Sequence, residues 1–124
     1  MRKDPGIRPV KYLEYIEEAC LNACEYIKGM SKSDFLNDKK TIAAVTSSFD
    51  TIGKACHDLI KYHAPFIDYR PVTYWFARKM CELFPTEHSY TTDPDILWNI
   101  VRNNLPELSS DASRVLVAAT VSEQ

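Results

Sequence analysis

Between Ile42 and His63 the side chains Ile42, Val45, Phe49, Ile52, Cys56, Leu59 and His63 return at alternating steps of three and four. That is the period of a helix burying one face, and about six turns of it fit a seam packed against a second helix. Asp38 stands ahead of it as an N-cap. Ala64-Pro65 closes it, because the residue before a proline is pushed out of helical dihedrals. Gly53 would cost roughly 1 kcal/mol against alanine at an exposed helical position, so its presence points to close approach of another helix.

The same period recurs elsewhere. From Pro9 to Gly29 it runs through Leu13, Ile16, Cys20, Ala23 and Ile27, with Glu14, Glu17, Glu18, Glu25 and Lys28 off the stripe and Gly29 as the stop. Ser33 is placed to cap a short turn through Asp34, Phe35 and Leu36. Pro71 sits at a first helical position, followed by a stripe of Val72, Phe76, Met80 and Leu83 that Pro85 should end near Phe84. Arg78 lies off that stripe. Asp93-Pro94 opens another helix that carries Leu97, Val101 and Leu105 inward and stops before Pro106. Residues 1–108 contain no convincing strand alternation. The expected fold is all-α, an antiparallel four-helix up-and-down bundle with an extra short helix. Residues 1–108 form the domain. From Ser109 the composition turns to Ser110, Asp111, Ala112 and Ser113, and residues 109–124 read as a C-terminal tail that packs on a partner or stays mobile.

A chain of 124 residues, 45% apolar and 26% charged, has enough for one ordinary core. Its formal charge of -2 supplies no global field for nucleic acid, so any RNA contact must come from a local cluster or a partner chain. No apolar run approaches a membrane span, and no apolar stretch follows the basic N-terminus, so a soluble cytoplasmic protein is expected. Cys20, Cys24, Cys56 and Cys81 lack the close pairs of a structural zinc site and read as reduced thiols, with Cys20 and Cys56 on apolar stripes. Trp75 and Trp98 read as packing anchors. His57 sits beside the long seam, and His63 reads as a partly buried capping residue.

The residues suited to chemistry lie between 78 and 90. Cleaving RNA without a metal needs a group to take a proton from the 2'-hydroxyl, a donor for the leaving 5'-oxygen and a cation for the phosphorane charge. Histidine suits the proton transfers and arginine's planar fork suits the phosphate, which singles out His88 and Arg78. Tyr90, two residues beyond His88, can orient the phosphate or accept a modifying group. An ordinary structural account also fits these residues: Arg78 pairing with Glu82 one turn along, His88 in a loop, and Tyr90 packed by its edge.

Taken together, several segments resemble the HepT-like family, a branch of the all-helical HEPN (higher eukaryotes and prokaryotes nucleotide-binding) proteins. They are Tyr12-Leu13-Glu14-Tyr15-Ile16-Glu17-Glu18-Ala19, then Tyr26-Ile27-Lys28-Gly29-Met30-Ser31 leading to Asp34-Phe35-Leu36, then Ala44-Val45 and Thr51-Ile52-Gly53-Lys54-Ala55, and finally Asp93-Pro94-Asp95-Ile96-Leu97-Trp98 with Leu105-Pro106-Glu107-Leu108. The resemblance implies a helical bundle that dimerises around an RNA-cleaving cleft. It implies an endoribonuclease toxin that needs no metal or other cofactor, paired with a minimal nucleotidyltransferase antitoxin that adds AMP to the motif tyrosine. On this likeness Arg78 and His88 take the catalytic positions and Tyr90 the AMP-acceptor position, with RNA as substrate.

The chain departs from the family pattern in two places. The family motif has about four to six residues between arginine and histidine, whereas nine separate Arg78 from His88, with Pro85 among them. Lys54 replaces the glutamate that usually follows the glycine of the second helix motif. Two readings therefore stand: the ribonuclease toxin, and a catalytically degenerate helical subunit that docks a nucleotidyltransferase or presents its substrate.

Overall fold

Pro9 opens α1 (Pro9–Tyr26) at its first position, where the missing N–H costs no hydrogen bond. Tyr12, Leu13, Ile16, Ala19, Cys20 and Ala23 are all buried along it. That arc is wider than one stripe, and α1 accordingly packs along two long neighbours, α3 (Lys39–Tyr62) and α7 (Leu105–Ser122). The computed structural model describes residues 6–68, 71–83 and 93–122 of the chain. Among them are seven helices and no strand, the remaining four being α2 (Lys32–Leu36), α4 (Ala64–Asp68), α5 (Pro71–Leu83) and α6 (Pro94–Asn103).

Gly29 ends the first helical stretch as expected, with φ +79 in the turn that follows α1. The cap of α2 is Ser31 rather than the expected Ser33. The Ser31 hydroxyl accepts the Asp34 N–H at 3.1 Å, and the Asp34 carboxylate accepts the Ser31 N–H at 3.0 Å. This reciprocal pair needs residues three apart at the helix start, and Asp34 supplies the second half. It seats Phe35 in the core, 5.5 Å between ring centroids from Trp98.

Asp38 caps α3 as expected, its Oδ1 accepting the Thr41 N–H at 3.1 Å. Val45, Phe49, Ile52, Cys56 and Leu59 are buried, Gly53 is buried between them, and Ile42 packs partly against the core. His63 caps the C-terminal end of α3, and Pro65 follows within α4. In α5, Phe76 and Ala77 are buried and Leu83 is partly buried. The side chains of Val72, Met80 and Cys81, and the expected stop at Pro85, lie outside what is described. Asp93 caps α6, with Leu97, Trp98 and Val101 inward; Trp98 is thus a packing anchor, as expected.

The stretch expected to be a tail is helical through Ser122. The helix does stop before Pro106, at Asn103, but Leu105 then begins α7, with Pro106 in its first turn. The expected boundary after Leu108 falls inside α7, and residues 109–122 are helical. Leu105, Leu108, Ala112, Val115 and Ala119 are buried and step by three, four, three and four. The polar look of Ser109, Ser110, Asp111 and Ser113 hides this stripe, because most of its members beyond Leu108 are small. No helix among the described residues is long and apolar enough to cross a membrane.

Candidate functional site

The rotation of α5 is fixed by its buried pair, Phe76 and Ala77. With these turned inward, Trp75, Arg78 and Glu82 are thrown to the outer face, one turn apart in succession. Arg78 is exposed, and its guanidinium carbon lies 5.7 Å from the centroid of the Trp75 ring. That ring is 65% exposed, where Trp98 is 8% exposed. Trp75 is therefore not the packing anchor its type suggested. The signal was in the sequence, since Trp75 falls off the stripe that includes Phe76 and Leu83.

Next to Arg78, Lys79 leans the other way and ties α5 to α7. Its Nζ donates to Glu107 Oε1 at 2.9 Å and to Asp111 Oδ2 at 3.0 Å. The second Asp111 oxygen accepts from Arg114 Nη2 at 3.2 Å. The hydrogen bonds it donates to Glu107 and then to Asp111 hold the Lys79 ammonium above its usual range, so it stays charged throughout the neutral region. Trp75, Phe76, Lys79, Asp111 and Arg114 line a groove of about 250 Å³ between the two helices. This network was missed in the sequence because Asp111 and Arg114 fall in the stretch read as tail.

An exposed arginine at this place can hold two oxygens of a phosphate at once with its planar fork. His88 and Tyr90 lie outside the described residues, so of the three sequence candidates only Arg78 has a described position. The other histidines do not form a second candidate. His63 Nε2 lies 2.7 Å from the Ile7 carbonyl oxygen, a structural tie, and His57 is half-buried on α3.

Cys20, Cys24 and Cys56 form no disulfide, and Cys20 and Cys24 are poor nucleophiles. Burial, then the neighbouring Cys24 and Glu17, push Cys20 up to about 12, and burial also raises Cys24. No group of three or more His, Cys, Asp or Glu side chains able to hold a metal ion occurs among the described residues.

No protein-family model matches the chain, and no solved structure matches it. Two curated proteins do match, both carrying the name "Putative RNase". MJ0127 of Methanocaldococcus jannaschii is 32% identical over 97 residues, which are 77% of this chain and 76% of that protein. TTE0752 of Caldanaerobacter subterraneus subsp. tengcongensis is 26% identical over 112 residues, 87% of this chain and 94% of that protein. With identity at that level across three quarters of both chains, this protein belongs to the family of the archaeal protein MJ0127.

Proposed function

We propose that this protein is a metal-independent endoribonuclease, the toxin of a HEPN and minimal-nucleotidyltransferase pair. The observation that carries the reading is kinship with relatives named as RNases across most of the chain. The exposed Arg78 supports it by offering a permanent cation in the position the HepT-like resemblance assigns to catalysis. The finer fold assignment, an antiparallel HEPN-like bundle, belongs to the same proposal, and α7 takes part in it.

In this mechanism the 2'-hydroxyl of RNA attacks the adjacent phosphorus, and the bond to the 5'-oxygen breaks. His88 serves the proton transfers, the 2'-hydroxyl losing a proton and the 5'-oxygen gaining one. Arg78 carries the charge that builds on the equatorial oxygens of the phosphorane. Tyr90 binds phosphate, and in the silenced state it is the acceptor to which the antitoxin transfers AMP. Two copies form a homodimer, which brings two Arg78 side chains to one cleft and concentrates positive charge on a chain whose net charge is -2.

The nine residues between Arg78 and His88 favour a second reading, a degenerate subunit that keeps the partner surface and has lost cleavage. One experiment separates them. Protein shown free of AMP by intact mass is incubated with mixed RNA in EDTA beside His88→Ala, and Tyr90→Phe is co-expressed with the nucleotidyltransferase. The ribonuclease reading expects cleavage by the parent, none by His88→Ala, and an AMP adduct on the parent but not on Tyr90→Phe. A folded, AMP-free parent that leaves RNA intact supports the degenerate subunit.

A further inference from the structure

We propose that Trp75 is the base-stacking platform of the RNA site and that Arg114, across the groove, holds a neighbouring phosphate. The inference rests on the ribonuclease reading and names where that site would grip its single-stranded substrate. It starts from a residue in an unusual place. Single exposed apolar residues are common on protein surfaces, but a tryptophan that is 65% exposed leaves a large flat ring facing water one turn from the catalytic arginine. An indole face binds any nucleobase by stacking, and a guanidinium beside it reinforces the contact.

The surroundings match a base and its phosphates better than they match another partner. The groove beside the ring is small, about 250 Å³, which suits one planar base rather than a helix. Three cations, Arg78, Lys79 and Arg114, stand within one turn of each other on α5 or directly across on α7. Asp111 is shared between Lys79 and Arg114, and Glu107 is held by Lys79; Glu82 is exposed on the same face, one turn beyond Arg78. The paired carboxylates fix the long side chains of Lys79 and Arg114 in place.

Two larger grooves between α1 and α3, about 360 and 370 Å³, present the opposite character. One is lined by Glu18 and the other by Asp50 and Asp58, with Lys54 as their one cation. Phosphate would be repelled there. Since the chain has no global positive field, its RNA contacts must be local, and the face of Trp75, Arg78 and Arg114 sets a broadly exposed indole beside two guanidinium groups.

The test uses the whole protein and a short single-stranded oligonucleotide with 2'-O-methyl sugars, which lacks the attacking hydroxyl and cannot be cleaved, read by fluorescence anisotropy. Trp75→Ala is expected to weaken binding about tenfold, and Trp75→Phe to keep most of it. The same oligonucleotide carrying abasic sites should bind the parent about as weakly, with Trp75→Ala making little further difference. Arg114→Ala should weaken binding and lower the slope of log affinity against log salt by about one. Circular dichroism confirms folding of each variant.

If the parent cleaves RNA but Trp75→Ala binds the uncleavable strand equally well, this inference fails and the ribonuclease reading stands. A folded, AMP-free parent that neither binds nor cleaves RNA takes both down. If the loss in Trp75→Ala is the same for abasic strands and sedimentation shows a dimer turned monomer, Trp75 is a contact between copies, and the stacking role is wrong.

Discussion

The Nε2 atom of His63 lies 2.7 Å from the carbonyl oxygen of Ile7, fifty-six residues earlier in the chain, while its ring centroid sits 5.8 Å from that of Tyr12. A carbonyl only accepts, so Nε2 carries the proton and donates it. One imidazole thereby ends α3, closes over the first turn of α1 and anchors the segment that leads into it. His63→Ala is expected to lower stability by about 1 kcal/mol, the scale of one net hydrogen bond with some lost packing. Urea unfolding checks this, and an unchanged midpoint would show the contact to be idle.

The α7 stripe gives a sharper test of the domain's extent. A chain cut after Leu108 loses Ala112, Val115 and Ala119, and exposes the side of α1 that they cover. Such a truncation should no longer unfold cooperatively, and Val115→Asp in the full chain should cost at least about 3 kcal/mol through a buried charge without a partner. Thermal unfolding followed by circular dichroism reads both. A truncated chain that melts like the parent would restore the tail to the periphery.

How far the sequence could be read depended on the size of the side chains marking each stripe. Phe49, Ile52 and Leu59 announce α3, and Leu13 and Ile16 announce α1, because large apolar groups dominate any periodicity. Ala112 and Ala119 give the same geometric signal with little hydrophobic weight, so the serines around them prevailed. Asp38 and Asp93 were legible as caps because each precedes an unmistakable helix, whereas the cap of α2 falls on Ser31, two residues ahead of the expected Ser33, because only Ser31 stands three residues before Asp34. At the candidate site, the exposure of Arg78 follows from its place off the α5 stripe. Trp75 was misjudged by residue type despite its off-stripe position, and the Lys79, Asp111 and Arg114 network depends on contact between helices far apart in sequence.

The cysteines give a prediction in pH. An unfolded thiol titrates near 9.0 and Cys20 in the fold at about 12, so between these values the folded chain holds the proton that the unfolded chain has lost. Its contribution to stability is complete below the unfolded value and is lost as pH rises through this window. Stability should therefore fall more steeply from pH 9 upward in the parent than in Cys20→Ala, measured by urea unfolding across that range. Buried and held well above the ordinary thiol range, Cys20 should stay unlabelled by iodoacetamide in the fold and be labelled after denaturation. Equal slopes and fast labelling would contradict its buried position.

The bridge between α5 and α7 should matter modestly. Asp111→Asn removes the charge shared by Lys79 and Arg114, but these side chains reach solvent, so the cost should stay under about 1 kcal/mol and fade at high salt. Unfolding at low and high salt tests it. A large loss that is insensitive to salt would mean that Asp111 supports the core instead.

The central claim is that RNA is cleaved by a site in which Arg78 carries the transition-state charge. The most direct measurement is cleavage of a mixed RNA substrate in EDTA by the AMP-free parent, Arg78→Ala and Arg78→Lys, with folding of each confirmed. The account predicts cleavage by the parent, loss of a hundredfold or more in Arg78→Ala, on the order of the loss seen when one transition-state donor is removed, and only partial recovery in Arg78→Lys, which lacks the two-pronged fork. Cleavage by Arg78→Ala at the parental rate would contradict it.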